Sequence, residues 1–486
     1  ARGRRVFQSN PNSSLGLTYT YDDQDRVIET AYPSLGGQSY SVFTSYSGMR
    51  TVVRDSTGRF MSTYHRGFGD PREQQVIEMR QGNSSDGVSF SSTYRALFQR
   101  NVLGQVTSVV KGQAFSGTGG WTRSYGYNSN FHLTSQTDPE LGTTVFGRDL
   151  LGNMTSKKIG SQPTITYGLD ARNRIETITY SASEDPLVPQ APNVTYTYFP
   201  TDVVQSVTSG GVVRSYVYDG ADKVTSETLV ADAGRTYTVG FGYNGNEALS
   251  SVTYPAGHVV SYNPDGYGRP AAAAPYVTDV DYHPNGMPQQ ITYANGVTMG
   301  MGLNDRLWPA SLNVNRTGVN VVQNVYGYDP AGNLTTISDS LDSAYNRTYE
   351  YDFVNRLTRE VGANGTFRYV YDNVGNITAV NEELLVNGST QLFGYKSYVY
   401  DGSSASPTGT GRLLSFSSLT SFRFFSYDLS GNVRDDDEGT TFGYDRANNM
   451  RCSNCGGASQ VLHVYDGANM RVKSTEGGIA AYSLYD

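Results

Sequence analysis

One short string recurs from end to end of the chain: an aromatic, any residue, an aromatic, Asp, two variable residues, then Gly-Asn or a residue pair such as Asn-Arg, then an apolar residue. Its clearest copies are Tyr326-Gly-Tyr328-Asp329-Pro-Ala-Gly332-Asn333-Leu334-Thr335, Tyr349-Glu-Tyr351-Asp352-Phe-Val-Asn355-Arg356-Leu357, Tyr369-Val-Tyr371-Asp372-Asn-Val-Gly375-Asn376-Ile377 and Phe425-Ser-Tyr427-Asp428-Leu-Ser-Gly431-Asn432-Val433. Further copies run from Tyr19 to Val27, Tyr167 to Ile175, Tyr216 to Val224 and Phe442 to Met450, and Phe146 to Thr155 has Arg148 in place of the second aromatic. Looser ones start at Tyr94, Tyr125, Phe241 and Tyr262. Counted generously, there are about eighteen units spaced roughly twenty to thirty residues apart, each too small to bury a face alone, so the chain must be an array of stacked units.

Within a unit the two aromatics stand at i and i+2, which puts them on one face of an extended strand. Asp and the Gly-Asn, Asn-Arg or Asp-Lys that follow are residues that make Asx turns or tolerate positive φ, so the chain reverses there. The apolar residue after the turn opens a return strand of β-branched and aromatic character, as in Ile175 to Tyr180. Each unit therefore reads as one β-hairpin. A turn Asp that hydrogen-bonds its own backbone explains the repeated carboxylate without catalysis, and the fixed place of the Tyr residues makes them wall-building side chains before they are sugar-stacking platforms.

At 486 residues an ordinary chain would divide into several domains, but the repeat runs through nearly all of this one without a long linker. Residues 1–486 are thus expected to be one continuous all-β architecture. Only 37% of residues are hydrophobic, whereas Tyr contributes 38 and Gly 54. That composition suits a single sheet layer with many turns better than a thick aliphatic core, because tyrosine packs its ring across strands and keeps its hydroxyl wet. The edges of so long a sheet would invite aggregation unless the ribbon coils or closes, and a ribbon wound into a hollow body leaves room for solvent or cargo. A β-propeller is the alternative fold; irregular unit spacing and the lack of a fixed blade motif weigh against it.

The net charge of −8 and the absence of a basic stripe speak against nucleic acid as a partner. No apolar stretch reaches the length of a membrane span and no signal peptide is visible, although a chain starting at Ala1, with its short basic end Ala1 to Arg5, reads as a trimmed piece. Asp435 to Glu438 is the one dense acidic run and is expected in a solvated hairpin turn. Cys452 and Cys455 form a lone Cys-x-x-Cys, half a zinc site at most, placed in a loop between units; a local disulfide or free thiols is the simpler reading. The five histidines, 65, 132, 258, 283 and 463, show no ligand spacing. No phosphate loop, Gly-x-Ser-x-Gly elbow or His-Glu-x-x-His occurs. No catalytic, metal or cofactor residues are assigned, and no cofactor is expected.

The Tyr-x-Tyr-Asp-x-x-Gly-Asn/Arg-apolar-Thr pattern resembles the YD-repeat, or rearrangement-hotspot (Rhs), family, which includes bacterial polymorphic toxins, shell-forming subunits of insecticidal toxin complexes and the teneurins. The resemblance covers almost the whole chain. It implies a long sheet of tandem hairpins that spirals into a hollow cocoon, a secreted or cell-surface bacterial protein, and a non-enzymatic shell holding its own C-terminal toxin until delivery. Its implied partners are that toxin cargo and the secretion or delivery machinery. An extracellular adhesion or carbohydrate-binding surface, with glycans as partners, is the alternative. The residues that would build the wall are Tyr326, Tyr328, Asp329, Gly332, Asn333, Tyr349, Tyr351, Asp352, Asn355, Arg356, Tyr369, Tyr371, Asp372, Gly375, Asn376, Tyr427, Asp428, Gly431 and Asn432. Family members carry an Asp-Pro-x-Gly-type cleavage motif before the toxin. Asp138-Pro139-Glu140-Leu141-Gly142 lies mid-chain with its Gly one residue late, and Asp329-Pro330-Ala331-Gly332 sits inside a plain repeat, so both read as turns. The end at Tyr482 to Asp486 looks like the start of another unit, and the expectation is a repeat region cut before the core-associated and toxin regions.

Overall fold

Alternation of period two, broken every few residues by Gly, Asn and Asp, dictates antiparallel hairpins, and hairpins are what form. The computed structural model describes residues 3–68, 70–83, 94–112, 120–182, 185–232, 234–386, 389–402 and 409–484. Ala1 and Arg2 of the basic end, and Tyr485 and Asp486 of the last half-unit, lie outside the described residues. Every described element is a β-strand except a single 3-10 turn at Ser343–Tyr345.

The chain divides into two compact units, each assembled from separate stretches of sequence. Unit 1 comprises residues 1–122, 271–409 and 417–421; unit 2 comprises 123–270, 410–416 and 422–486. Each unit contains two rows of hairpins. In unit 1 the first row runs from Phe7–Ser9 to Val106–Lys111 and the second from Val277–Tyr282 to Ser389–Tyr400. In unit 2 the first row runs from residue 123, within the strand Trp121–Tyr127, to Val259–Ser261, and the second from Leu413, in the strand Leu413–Ser417 whose last residue falls in unit 1, to Ile479–Tyr482. Within most of each row a strand pairs antiparallel with the next in sequence, for example Val319–Tyr328 with Leu334–Asp339 and Gly365–Tyr371 with Ile377–Val386, whereas the second row of unit 2 is broken into shorter sheets, with Ser426–Tyr427 and Val433–Asp435 forming a pair of their own. Runs of pairing this long are not the four-stranded blades of a propeller.

Because successive strands alternate in direction, successive turns emerge from opposite edges of a row. Most motif turns occupy one edge, here the motif edge, and the intervening turns, with the motif-like turn Asp55 to Arg59 among them, occupy the other. In each unit the motif edge of the second row lies on the opposite edge of the first. In unit 1 Arg306 Nε donates to the Pro33 carbonyl (2.8 Å), and Arg59 Nη2 donates to Asp329 Oδ2 (3.0 Å). In unit 2 Arg412 Nε donates to the Glu140 carbonyl (2.9 Å), Gln162 Nε2 to Ser430 Oγ (2.5 Å) and Arg214 Nε to Asp466 Oδ2 (2.8 Å). The partners are 273, 270, 272, 268 and 252 residues apart, so the second row runs in step with the first.

The core sits in these seams. In unit 2, Val212 and Leu229 of the first row close on Val472 of the second, with Val464 packed against them. Gly467 lies so close to Val207 that a Cβ would stand 2.2 Å from its Cγ1. A protein only 37% hydrophobic thus folds by burying a narrow line of side chains between rows instead of a thick centre.

Candidate functional site

The motif turn repeats one geometry. At Asp329 the backbone N–H donates to the Asn333 carbonyl (2.9 Å), and the Gly332 N–H returns to the Asp329 carbonyl (3.1 Å). The carboxylate fills the loop: Oδ1 accepts from the N–H groups of Ala331 and Asn333, both at 2.9 Å, and Oδ2 accepts from Asn333 Nδ2 at 2.8 Å. Asp372 with Asn376 and Asp428 with Asn432 repeat this arrangement. In Asp352 the fourth following residue is Arg356, whose Nε donates to Oδ2 at 2.7 Å in place of the amide. The third position after Asp needs a left-handed backbone, with φ +97° at Gly332, +103° at Gly375, +84° at Gly431 and +65° at Asn355. That is why the motif allows Gly or Asn there. A register shift at Gly327/Tyr328 marks the bulge that accompanies such a turn.

The second tyrosine does something the sequence did not disclose. Its hydroxyl donates to the carbonyl of the apolar residue that follows the preceding turn: Tyr351 to Leu334 (2.9 Å), Tyr371 to Leu357 (2.8 Å) and Tyr427 to Leu413 (2.7 Å). Tyr198 does the same to Ile175 (2.6 Å) and Tyr218 to Val204 (2.8 Å). Each hydroxyl therefore latches one hairpin to the one before. Burial raises the phenol pKa of Tyr351, Tyr371 and Tyr427 above the ordinary tyrosine value, which keeps them donors. Where Arg148 replaces the tyrosine, its Nε donates to the Leu133 carbonyl at 2.9 Å and serves the same end. The partners stand 17, 14, 14, 23 and 14 residues apart in these five latches, so spacing gave no signal for the bond.

Neighbouring turns are also laced together. Asn333 Nδ2 donates to Asn355 Oδ1 (2.9 Å), Arg356 Nη1 to the Asp372 carbonyl (3.1 Å) and Asn432 Nδ2 to Asn448 Oδ1 (3.3 Å). The Arg356 guanidinium stacks over the Tyr371 ring, 4.6 Å from its centroid. Tyr326, Tyr328, Tyr349 and Tyr369 lie on the strands that lead into these turns, and Trp308 packs on Tyr328 with centroids 5.2 Å apart. The motif residues are thus brought together as a continuous turn edge and not around a common cavity.

Two local readings of the motif need correction. The unit placed at Tyr94 is displaced by four residues: the strand is Tyr94–Arg100, and the turn carboxamide is Asn101, which accepts from the N–H groups of Leu103 and Gln105. Phe98 and Arg100 are its two aromatic positions, with Arg100 acting as Arg148 does by donating Nε to the Val76 carbonyl. Cys452 is not in a loop either. It lies buried within the strand Met450–Ser453 and is joined by a disulfide to Cys455 in the following turn. Of the two Asp-Pro segments, Asp138 accepts from Arg123 Nε at 3.0 Å and Asp329 belongs to the turn described above. In the acidic run Arg423 pairs with Glu438 at 2.6 Å and with Asp436 at 3.5 Å.

Unit 2 holds a cleft of about 430 Å³ between its rows, lined by Gln162, Asp185, Tyr427, Asp428, Ser430, Arg434, Tyr444 and Asp445 among others. Burial pushes the Asp445 carboxyl up against the pull of its turn amides and Arg451. Both Asp428 and Asp445 are engaged by the N–H groups of their own turns, so neither is poised as a nucleophile. Among the described residues no group of three or more His, Cys, Asp or Glu is placed to hold a metal ion. Among the described residues no helix is long and apolar enough to cross a membrane.

No protein-family model matches the sequence, and no curated protein matches it. Solved structures do. The TcdB2-TccC3 structure superposes with a TM-score of 0.76 at 13% identity over 95% of this chain. TcdB2-TccC3 without its hypervariable C-terminal region gives 0.77 at 12% identity, and the Photorhabdus luminescens Tc holotoxin pore gives 0.71 at 13%, each again over 95% of this chain. The chain shares its fold with part of these toxin components. It spans only 26% of the length of the chains it matches, and at such identity the likeness is one of fold.

Proposed function

We propose that these 486 residues are a stretch of the wall of an Rhs-type shell, a non-enzymatic body that encloses a C-terminal toxin domain and withholds it until delivery from a bacterial cell. The observation that carries this reading is the likeness of fold, over 95% of the chain, to components of a Tc toxin. The geometry supports it from below. The repeated carboxylates, amides and hydroxyls of the described motif turns are engaged in turns, latches and seams, which is wall-building chemistry. One neighbour stands without its hypervariable C-terminal region, and a wall held by bonds within and between its own rows is suited to holding variable contents. The wall is the functional element in this reading, and its mechanism is sequestration.

Single-particle electron microscopy of the chain with its native downstream sequence, beside the chain alone, tests the reading. A hollow body with density inside only in the longer protein is expected. A solid particle or an open ribbon in both, with saturable binding on a glycan array, would replace encapsulation by adhesion.

A further inference from the structure

The disulfide between Cys452 and Cys455 lies on the seam of unit 2, and its two halves stand in opposite surroundings. Cys452 is 0% exposed and pairs across the sheet with Gly443. A Cβ on Gly443 would stand 2.7 Å from Cys455 Sγ, 2.8 Å from Cys452 Sγ and 2.5 Å from Val188 Cγ2, so the disulfide and Val188 close over the bare backbone of that glycine. Val188 is 5% exposed and belongs to the first-row loop that begins at Asp185. The neighbouring residue of that loop meets the pair as well: the Leu187 carbonyl lies 3.9 Å from Cys452 Sγ, and a Cβ on Gly456 would stand 3.2 Å from Leu187 Cδ2. Cys455, by contrast, is only half-buried, and the residues after it, Gly456, Gly457, Ala458 and Ser459, are all exposed and none is larger than serine. One sulfur is sealed against the first row, and the other is reached across an open turn.

The two cysteines are only 3 residues apart in sequence, so the bond removes little freedom from the unfolded chain and acts chiefly on the corner it shapes. Asn454 anchors the start of the turn without it, donating its N–H to the Thr441 carbonyl (2.7 Å) and accepting from the Thr441 N–H on its side-chain oxygen (3.2 Å). What depends on the disulfide is the placement of Cys455 and Gly456 against Leu187 and Val188. We propose that the pair is a thiol-reactive site, and that a small dithiol reductant acting at Cys455 releases the 185–188 loop from the second row of unit 2. A thiolate of the reductant attacks Cys455 Sγ; the bond between the two cysteines breaks, its electron pair goes to Cys452, and Cys452 takes a proton. Cys452 is held beside the mixed disulfide and would re-form the bond, which is why a second thiol on the same reductant is needed to intercept it. That thiol, as its thiolate, displaces Cys455, which is protonated in turn, and the reductant leaves as its own cyclic disulfide. Two electrons and two protons have then passed to the cysteines. Two thiols need more room than one disulfide, and Cys452 has none to give among Gly443, Val188 and the Leu187 carbonyl. Cys455 therefore moves outward with Gly456 and uncovers Leu187 and Val188. The proposal holds whatever the wall encloses.

The test takes the full-length protein that carries this sequence, treats it with dithiothreitol under native conditions, quenches with N-ethylmaleimide and reads the peptide holding both cysteines by mass spectrometry. Both should be alkylated at dithiothreitol concentrations that leave the protein folded by thermal melting. With glutathione, a single thiol, the trapped adduct should sit on Cys455 at least about tenfold more often than on Cys452, because only Cys455 is accessible. In the oxidised protein the Leu187 N–H donates to Asp185 Oδ1 (2.9 Å) and the Val188 N–H to the Asp185 carbonyl (3.1 Å). Reduction should quicken amide exchange about tenfold at these two residues and at 455–457, and leave it unchanged in Val212–Tyr218 and Val461–Tyr465. Cys452→Ser/Cys455→Ser should exchange as the reduced protein does and ignore dithiothreitol; the measurements on the unmodified protein stand without it. Alkylation only where the protein unfolds, or an adduct chiefly on Cys452, would overturn the proposal. Equal exchange before and after reduction would overturn it by making the pair an inert staple, and faster exchange throughout unit 2 by making it a support of the whole seam.

Discussion

At the scale of single residues, the motif is a solution to one local problem, which is reversing a strand with every polar group satisfied. The Asp carboxylate closes the loop and Gly or Asn supplies the left-handed backbone. Gly375 has nothing within 4 Å of an added Cβ, whereas at Gly332 that atom would lie 3.1 Å from Trp308 Cζ2. Gly375→Val should therefore cost about 1–2 kcal/mol from backbone conformation alone, and Gly332→Val more. Gly332→Asn should cost less than Gly332→Val, since Asn355 occupies the same turn position with φ +65°. Urea melts with constant slope read the differences, and equal losses for Asn and Val at Gly332 would contradict the argument. The carboxylates also set a pH dependence. Burial pulls the Asp329 carboxyl upward, but Asn333 and Arg59 outweigh it and hold the group below its ordinary value. Asp149 and Asp170 are lowered in the same direction, chiefly by the side chains of Asn153 and Arg174. A folded pKa below the unfolded one means that this stability is complete above the unfolded carboxylate range and is lost as pH falls through the folded values. Asp445, raised by burial, works in the opposite sense. The urea midpoint should hold from neutrality to about pH 5 and fall below about pH 4, more steeply in Asp445→Asn. A midpoint that stays level to pH 3 would exclude the turn carboxylates as the acid-sensitive groups.

At the scale of the hairpin, the tyrosines explain why a layer so poor in aliphatic residues holds together. A lone two-stranded hairpin is marginal in water, and the latch from each second tyrosine to the preceding hairpin converts a series of marginal pieces into a row. Removing a hydroxyl leaves a part-buried carbonyl without its donor. Tyr351→Phe and Tyr371→Phe should each lose about 1 kcal/mol, with Tyr369→Phe, on the same strand as Tyr371, losing less. The comparison requires only chemical denaturation of three variants. If Tyr369→Phe is as costly as Tyr371→Phe, the rings and not the hydroxyls carry the contribution, and the latch is incidental.

At the scale of the whole molecule, legibility in the sequence follows distance along the chain. Hairpins and turns could be read because their determinants lie within about ten residues of one another, from Tyr326 and Tyr328 through Asp329 to Asn333. The reading slipped where a different residue does the same job: Arg100 stands for the second tyrosine, and Phe199 occupies the Asp position of a turn whose Asp202 N–H still returns to the Phe199 carbonyl at 3.0 Å. The seams could not be read at all. Their partners lie some 250 to 270 residues apart in most cases, such as Arg214 with Asp466 at 252 and Gln162 with Ser430 at 268, and Ser430 and Gly467 occupy tip positions that the motif leaves variable. That separation also fixes how the molecule should respond to damage. Arg214 and Asp466 are both buried, and Arg214 pairs with Asp466 and with Glu227, so removing Arg214 strands buried carboxylate charge and costs about 3–5 kcal/mol. In Arg214→Met, amide exchange should quicken on both sides of the seam, in Val212–Tyr218 and in Val461–Tyr465 and Arg471–Glu476, although the two regions are far apart in sequence. Adding Asp466→Asn should restore part of the protection, because the amide can still cap its turn while the unpaired charge is gone. Faster exchange confined to the neighbourhood of residue 214 would mean that each row stands by its latches alone and that the seam is only a contact.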